Sequence, residues 1–391
     1  MSTTADPALQ AAAWDLEPLV ESRGAAGVEE LLIEARDRSA AFAERHRGRV
    51  TELDSAGLVD AMNELAAIHD LAGRAGSFAM LWFTLDTADP PRGALIQKAR
   101  ELGASIETQL LFFELEWNLL DEERAGALLA APELDFCRHF LRTLRRYRPH
   151  QLTEPEERIA TELDVSGSSA FRRLFTEQIS SVEVQLHDSD EATSLEEALS
   201  RLQDPDRAVR EAAAKATTEA LRPGLRTRAY VFNTLLGDKA TKDRLRDYPH
   251  WLASRNLANE ASDESVQALI DAVAGRYELA RRWYRLKARL LGLDRLAYWD
   301  RMAPVSEAED QIPYDEARGI VLDCYSTFSP ELGEAAGEFF AHGYIDGPPR
   351  PGKRGGAFCS YTVPSRHPYV MLNYTSRPHD VLTMAHELGH G

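Results

Sequence analysis

Apolar residues recur every three or four positions along most of this chain, a spacing typical of amphipathic helices. The pattern predicts helices at Val28–His46, from Ser55 onward, and from Pro90 to about Leu120. The third of these contains a run of bulky apolar side chains that we assign to the protein core. They are Leu110, Leu111, Phe112, Phe113, Leu115 and Trp117.

The second half of the chain continues the helical pattern. Thr153 with Glu156, and Ser194 with Glu197, have the spacing of capping boxes, in which two side chains close the first turn of a helix. Residues 263–291 predict one helix with a single apolar face, and residues 313–342 predict another that breaks at Ser329-Pro330. The apolar face of the former comprises Val266, Leu269, Ile270, Val273, Tyr277, Ala280 and Tyr284.

Three short segments favour strands because apolar residues alternate or cluster between turn residues. They are residues 181–186, 357–362 and 369–374, and the last leads directly into the final helix. A loop rich in glycine and proline, Gly343–Gly356, precedes them. We therefore expect a mainly α-helical protein with a small β-sheet beside the final helix, in two regions: an N-terminal helical region at 1–190 and a second region at 191–391.

The composition narrows the possible partners and location. The 391 residues include 63 acidic and 45 basic side chains, for a net charge of −18, so nucleic acid and anionic membrane surfaces are not expected as partners. The first residues lack the basic and apolar parts of a signal peptide, and no segment is apolar for long enough to span a bilayer. Three scattered cysteines favour a reducing cytoplasm over a disulfide framework.

The final stretch, residues 376–391, carries the strongest chemical pattern. Pro378 suits the first turn of a helix, and Asp380 places negative charge near the positive end of the helix dipole. His386 and His390 are four residues apart, so both imidazoles lie on one side of the helix, one turn apart. Together they can hold one Zn²⁺ ion, and Glu387 beside them can act as a general base toward water.

Several other residues invite a functional reading, and for each we favour a structural one. His69 lies on an apolar helical stripe and is expected to be a core histidine. His367 and His379 are close to the motif in sequence only. The carboxylates of Glu114 and Glu116 are expected to be solvated or ion-paired. The four arginines at 142, 145, 146 and 148 are expected to form a solvated helix face rather than a phosphate site.

The strand before the final helix predicts how a substrate would bind. An edge strand beside the final helix, which we call the metal helix (residues 376–391), could pair with the main chain of an extended peptide. Such pairing would lay one peptide bond across the metal. The residues expected to contact the peptide belong to the preceding loop and to this strand. They are Gly355, Gly356, Ala357, Tyr369, Met371 and Asn373.

Three blocks of the sequence together resemble a known family. Residues 352–358, 367–375 and 380–391 are similar to oligoendopeptidase F of the M3, thimet-type metallopeptidases, and residues 112–186 resemble its N-terminal region. The resemblance implies a helical zincin-like body with a deep cleft, one Zn²⁺ per chain and cleavage of short peptides. It assigns His386 and His390 as zinc ligands and Glu387 as the catalytic base.

The same resemblance implies that the site is incomplete within these residues. The third zinc ligand of the family is a glutamate on the following helix, and its oxyanion-stabilising groups also lie later, whereas the sequence stops one residue after His390. We therefore expect the N-terminal part of such an enzyme, which alone would be inactive or weakly active. Two alternatives stay open: a catalytically inactive helical scaffold, and another zinc hydrolase such as an aminopeptidase.

Overall fold

The computed structural model describes residues 6–186, 191–305 and 311–391 of the chain. Most of these residues lie in helices, with two small sheets. The α-helices are α1 Pro7–Ala11, α2 Gly24–His46, α3 Ser55–Leu85, α4 Pro90–Leu119, α5 Glu122–Leu129, α6 Arg138–Arg146, α7 Glu154–Asp164, α8 Ser168–Ser180, α9 Leu195–Ser200, α10 Arg207–Leu221, α11 Leu225–Leu245, α12 Ala253–Ala258, α13 Asp263–Ala274, α14 Tyr277–Leu290, α15 Tyr314–Phe328, α16 Pro330–Ala341 and α17 Pro378–His390. The strands are β1 Glu183–Gln185, β2 Ala192–Ser194, β3 Ile345–Asp346, β4 Phe358–Ser360 and β5 Tyr369–Met371.

Helices α2, α3 and α4 pack together into an N-terminal bundle, as their sequence pattern predicts. Asp54 caps α3 by accepting a hydrogen bond from the Gly57 N–H at 2.8 Å. The bulky residues of α4 fill the centre of the bundle: Phe112 and Trp117 are fully buried, and the Trp117 indole N–H donates to the carbonyl of Leu141 at 2.9 Å. The assignment of this run to the core is therefore confirmed for the side chains at the bundle centre.

A three-stranded sheet in the order β3-β5-β4 lies between this bundle and helix α17. Its two faces alternate along the strands, as the geometry of a pleated strand requires. Phe358 and Tyr369 pack against the N-terminal bundle, whereas Cys359 and Val370 pack with residues of α17. The sheet thus joins the interior of the bundle to the helix that carries the histidine motif.

The N-terminal segment ties this sheet to the bundle. The Trp14 indole N–H donates to the carbonyls of Tyr344 and Val370, at 3.2 and 2.9 Å. The Tyr369 hydroxyl donates to the carbonyl of Asp15 at 2.7 Å. Strand β3 lies within the stretch that the sequence suggested was an irregular loop, so this part of the prediction is wrong. Two residues of parallel pairing with β5 carry too short a pattern to be recognised from sequence.

The second sheet is a short antiparallel pair, β1 with β2. The predicted strand at 181–186 is confirmed as β1, and Val184 is buried beneath helices α9 and α10. The predicted capping boxes of α7 and α9 are both present. The expected boundary between regions, near residue 190, falls at residues 187–190, outside the described residues, and stays a prediction; residues 1–5 and 306–310 also lie outside them.

The helix predicted over residues 263–291 is two helices, α13 and α14, separated at Gly275-Arg276. Its apolar face is exposed rather than packed: Leu269 and Tyr277 keep 64% and 58% of their surfaces accessible. The amphipathic pattern is correct, but its partner surface is not found among the described residues. Nor does any described helix have the length and apolar character needed to cross a bilayer.

Candidate metal centre

Helix α17 begins with a dense set of hydrogen bonds to one carboxylate. Asp380 accepts from the Thr375 N–H at 2.7 Å, the Thr375 hydroxyl at 2.8 Å and the Arg377 N–H at 3.1 Å. Pro378 occupies the first turn, where a missing N–H costs nothing. The predicted helix start is therefore confirmed, with Asp380 acting through hydrogen bonds as well as through its charge.

The apolar residues of α17 fix which way the histidines face. Val381, Met384 and Leu388 are buried among residues of the sheet and of α15, and the Tyr325 hydroxyl donates to the backbone carbonyl of Ala385. Residues two and six positions after Met384 lie on the opposite side of a helix that has 3.6 residues per turn. That side carries His386 and His390, and both side chains are exposed.

The two imidazoles converge on a common point. Their Nε2 atoms are 3.2 Å apart, and the rings meet edge to face with centroids 4.8 Å apart. Two nitrogens bound tetrahedrally to one zinc ion at 2.0–2.1 Å would lie about 3.3 Å apart. The donor type, spacing and exposure of His386 and His390 therefore fit two positions of a zinc site.

A tyrosine hydroxyl contacts the second imidazole at the ring nitrogen that does not face the other histidine. The Tyr361 hydroxyl lies 3.4 Å from Nδ1 of His390. Metal-bound histidines characteristically use their other ring nitrogen in such a contact, which fixes the tautomer and the ring orientation. Tyr361 could not be identified from the sequence, because its separation of 29 residues from His390 gives no local pattern.

Glu387 lies on α17, the helix that packs against strand β4. Burial, and then the negative charge of Glu387, raise the pKa of the Cys359 thiol to about 11. Glu387 is half-buried, while the histidines beside it are exposed. A carboxylate in this position can exchange a proton with a water molecule or an amine held between the helix and the strand.

The edge strands of the sheet are β3 and β4, and not β5. Strand β5 is central, so the prediction that it is an edge strand is wrong. Tyr369 and Met371 are fully buried, and their contact with a peptide stays a prediction. A buried central strand and an exposed edge strand of three residues look alike in sequence. Within the part of the chain that the structure describes, no strand pairs with the outer side of β4.

The register of the sheet shows which main-chain groups face that open side. The Val370 N–H donates to the carbonyl of Tyr344, on the β3 side. Cys359 is paired with Val370, so this is a non-hydrogen-bonded pair of the β4–β5 ladder. The N–H and C=O of Cys359 therefore point away from β5, toward the free edge of the sheet.

The remaining candidate peptide-binding residues lie where the glycine-rich loop enters β4. Gly356 is exposed, while Gly355 and Ala357 are half-buried. The side-chain amide of Asn373 is already used within the protein, since its Nδ2 donates to the carbonyls of Arg354 at 3.0 Å and Gly356 at 2.8 Å. Asn373 therefore shapes this turn and does not offer these donors to a ligand.

The other histidines considered in the sequence, His69, His367 and His379, do not belong to the site. His69 is exposed, contrary to the prediction that it belongs to the core, and it lines a cavity between α3, α4 and α6. The ring of His367 stacks on Tyr344 with centroids 3.3 Å apart. His379 lies seven residues before His386, about 10 Å away along the helix axis, too far to share a metal ion.

The charged residues that the sequence analysis set aside take part in local contacts. Glu114 accepts from the Gln151 amide at 3.1 Å, and Glu116 accepts from the backbone N–H groups of Gly48 and Val50. The Arg145 guanidinium donates to Glu122 at 2.6 Å. Across the described residues, no cluster of three or more His, Cys, Asp and Glu side chains is arranged to hold a metal ion.

Comparison with known protein families agrees with this geometry. Residues 200–391 match peptidase family M3, and residues 116–183 match the oligopeptidase F domain. Together these matches include the sheet, the metal helix and the end of the N-terminal bundle.

Related proteins extend the match over most of the chain. The group B oligopeptidase PepB of Streptococcus agalactiae is 26% identical over 298 residues, 75% of this chain and 49% of that protein. The oligopeptidase PepF of Bacillus subtilis is 24% identical over 357 residues, 88% of this chain and 52% of that protein. The chain thus spans about half the length of the curated relatives it matches.

The fold is shared as well. The crystal structure of oligoendopeptidase-F from Enterococcus faecium aligns with a TM-score of 0.65 and 20% identity, over 80% of this chain and 66% of that one. The mainly helical fold with a small sheet beside the motif helix is therefore the one expected from the sequence.

Proposed function

Because the chain belongs to peptidase family M3, we propose that it supplies the metal-binding helix and the peptide-binding edge of a zinc-dependent oligoendopeptidase. One observation carries the proposal: the Nε2 atoms of His386 and His390 are 3.2 Å apart on an exposed helix face. Related oligopeptidases over most of the chain support the same reading.

His386 and His390 would hold one zinc ion per chain through Nε2. Bound zinc would polarise the carbonyl of a peptide bond and lower the pKa of water at the site. The Tyr361 hydroxyl would hold Nδ1 of His390 and so keep Nε2 directed at the metal. A third ligand, which the family resemblance assigns to a glutamate on a following helix, would complete the set.

Glu387 would act as the general base and then as the general acid. Its carboxylate accepts the proton that the attacking water loses and delivers it to the nitrogen of the leaving amine. Its half-buried position on the helix that packs against β4 supports this role.

The substrates would be short, extended peptides. A peptide pairing with the free side of β4 would exchange hydrogen bonds with the N–H and C=O of Cys359, and would pass Gly355, Gly356 and Ala357. Main-chain pairing makes little demand on the substrate's side chains, so we expect broad sequence tolerance. Nucleic acid and membranes are not expected as partners of a chain with a net charge of −18.

The state of the cysteines supports the proposed location. Cys137, Cys324 and Cys359 are all free, which supports a reducing compartment such as the cytoplasm.

Two measurements on the purified chain test this function. The first is zinc stoichiometry with and without a competing chelator, where we expect one zinc ion per chain. The second is cleavage of an internally quenched peptide whose N-terminus is blocked, since an aminopeptidase cannot cut it. Zinc binding with cleavage of unblocked peptides only would indicate an aminopeptidase, and a chain that binds no zinc would be a scaffold.

A further inference from the structure

The turn that feeds the open strand β4 is held from two sides by residues far apart in sequence. On one side, the carboxylate Oε1 of Glu196 accepts a hydrogen bond from the Gly356 N–H at 3.2 Å. On the other, the Asn373 amide donates to the carbonyls of Arg354 and Gly356. The two main-chain polar groups of Gly356 are therefore both fixed, immediately before the strand begins.

The contact between Glu196 and the turn is unusually close. A Cβ atom placed on Gly355 would lie 2.3 Å from Oε1 of Glu196, well inside van der Waals contact. Gly356 also has a φ of +78°, which a side chain would strain. A side chain at Gly355 would therefore displace the Glu196 carboxylate, and the left-handed backbone of Gly356 favours glycine.

Glu196 comes from a different part of the chain, in the first turn of α9. It is half-buried, and burial raises the pKa of its carboxyl, with the nearby Asp380 charge adding to the effect. A solvent-facing surface glutamate would show neither property. The side chain instead bridges α9 to the turn, 160 residues later in sequence.

The other end of the turn is anchored independently. The ammonium group of Lys353 is buried and donates to the carbonyls of Pro348 at 2.8 Å and Leu372 at 2.6 Å. Since Lys353 already fixes the start of the turn, Glu196 acts on its last two residues. These residues lead through Ala357 into β4, which begins at Phe358.

We propose that Glu196 is a positioning residue for peptide binding, which holds the Gly355-Gly356 backbone so that the free edge of β4 stays aligned with the metal helix. The inference rests on the function proposed above, because it assumes that peptides bind along this edge. Glu196 itself contacts neither the metal ligands nor the edge, so it acts through the backbone that it holds.

Amide hydrogen exchange on the 391-residue chain tests the contact without requiring catalysis. Glu196→Ala should speed exchange of the Gly356 amide about tenfold, the loss expected for one hydrogen bond, with smaller increases through residues 357–360. Glu196→Gln keeps an acceptor oxygen and should restore most of the protection. Asn373→Ala should loosen the same segment from its other side, and Glu219→Gln, at an exposed site on α10, should change nothing there.

Steady-state hydrolysis of the blocked, quenched peptide separates positioning from general stability. In Glu196→Ala we expect KM to rise about tenfold, with kcat and zinc affinity within about twofold of the parent chain. Unchanged exchange at residues 355–360, or an equal increase throughout the protein, would overturn the proposal. A chain that binds no zinc would instead refute the function proposed above, while the exchange result would still decide whether Glu196 holds the turn.

Discussion

The N-terminal bundle of α2–α4 and the metal-helix region, which we define as β3–β5 with α15–α17, are built in opposite ways. The bundle is closed: its centre consists of apolar side chains such as Phe42, Phe112 and Trp117, all fully buried. The metal-helix region is partly open. It buries two opposite charges, Asp346 and Lys353, and leaves one face of α17 exposed.

This difference separates stability from chemistry. Apolar burial contributes most of the free energy that opposes unfolding, and the bundle contains most of it. In the metal-helix region the buried Lys353 ammonium instead donates to the Asp346 carboxylate and to the carbonyls of Pro348 and Leu372, which would otherwise lack this partner. Substitutions in the two regions should therefore change different observables.

The largest effect is expected at the carboxylate of the metal helix. Glu387→Gln should lower peptide hydrolysis by about 10²–10⁴-fold, the usual contribution of a general base, and leave the unfolding temperature and zinc affinity nearly unchanged. Hydrolysis of the quenched peptide and thermal unfolding measure both. Glu334→Gln, at an exposed position on α16, serves as the control. Retained activity in Glu387→Gln would show that this region does not perform the chemistry.

The bundle should show the reverse behaviour. Phe112→Ala removes a fully buried ring and should lower the free energy of unfolding by about 3–5 kcal/mol, with zinc affinity of the folded fraction unchanged. Urea unfolding measures the loss. Phe328→Ala, at a side chain that is 85% exposed, should cost little. A small effect at Phe112 would mean that the bundle is less tightly packed than its contacts indicate.

Substitution at the start of the metal helix should have an intermediate effect on stability. Asp380→Ala removes the acceptor of three hydrogen bonds and should cost about 0.5–2 kcal/mol in stability, the range measured for helix caps. Asp380→Asn retains an acceptor oxygen and should cost less in the same thermal unfolding experiment. Equal losses in the two variants would show that charge, and not hydrogen bonding, determines the helix start.

The smallest effect is expected on the exposed helix pair α13–α14. Leu269→Ala should change the free energy of unfolding by no more than about 0.5 kcal/mol, because little of this side chain's surface is buried. The same substitution at Leu31, which is buried in the bundle, should cost about 2–5 kcal/mol. A cost above about 2 kcal/mol at Leu269 would show that this apolar face is covered in solution.

The same comparison explains what could be predicted from sequence. In α4 and in α13–α14 the spacing of apolar residues is helical, and helices form in both places. The pattern reveals that a face needs a partner, but not where that partner lies. Phe112 meets other helices of its bundle, whereas Leu269 and Tyr277 meet no apolar cluster among the described residues.

At the metal centre, the position of the two histidines could be predicted from their local spacing, but the pairing of the strands could not. The four-residue interval places His386 and His390 together on any helix, so their convergence could be predicted. The strand order β3-β5-β4 depends on contacts between distant segments. For this reason the sequence pattern wrongly predicted β5 as an edge strand. Tyr361 and Glu196 act over separations of 29 and 160 residues, which no sequence periodicity reports.

Zinc titration of the parent chain, His386→Ala and His390→Ala in a chelator-buffered solution tests most directly whether the two imidazoles form a metal site. We expect one zinc ion per parent chain, and a loss of affinity of more than about a hundredfold in each variant, exceeding the loss typical of an outer-shell partner. Equal zinc affinity in all three proteins, or no zinc bound by the parent chain, would contradict the assignment of this helix as a metal centre.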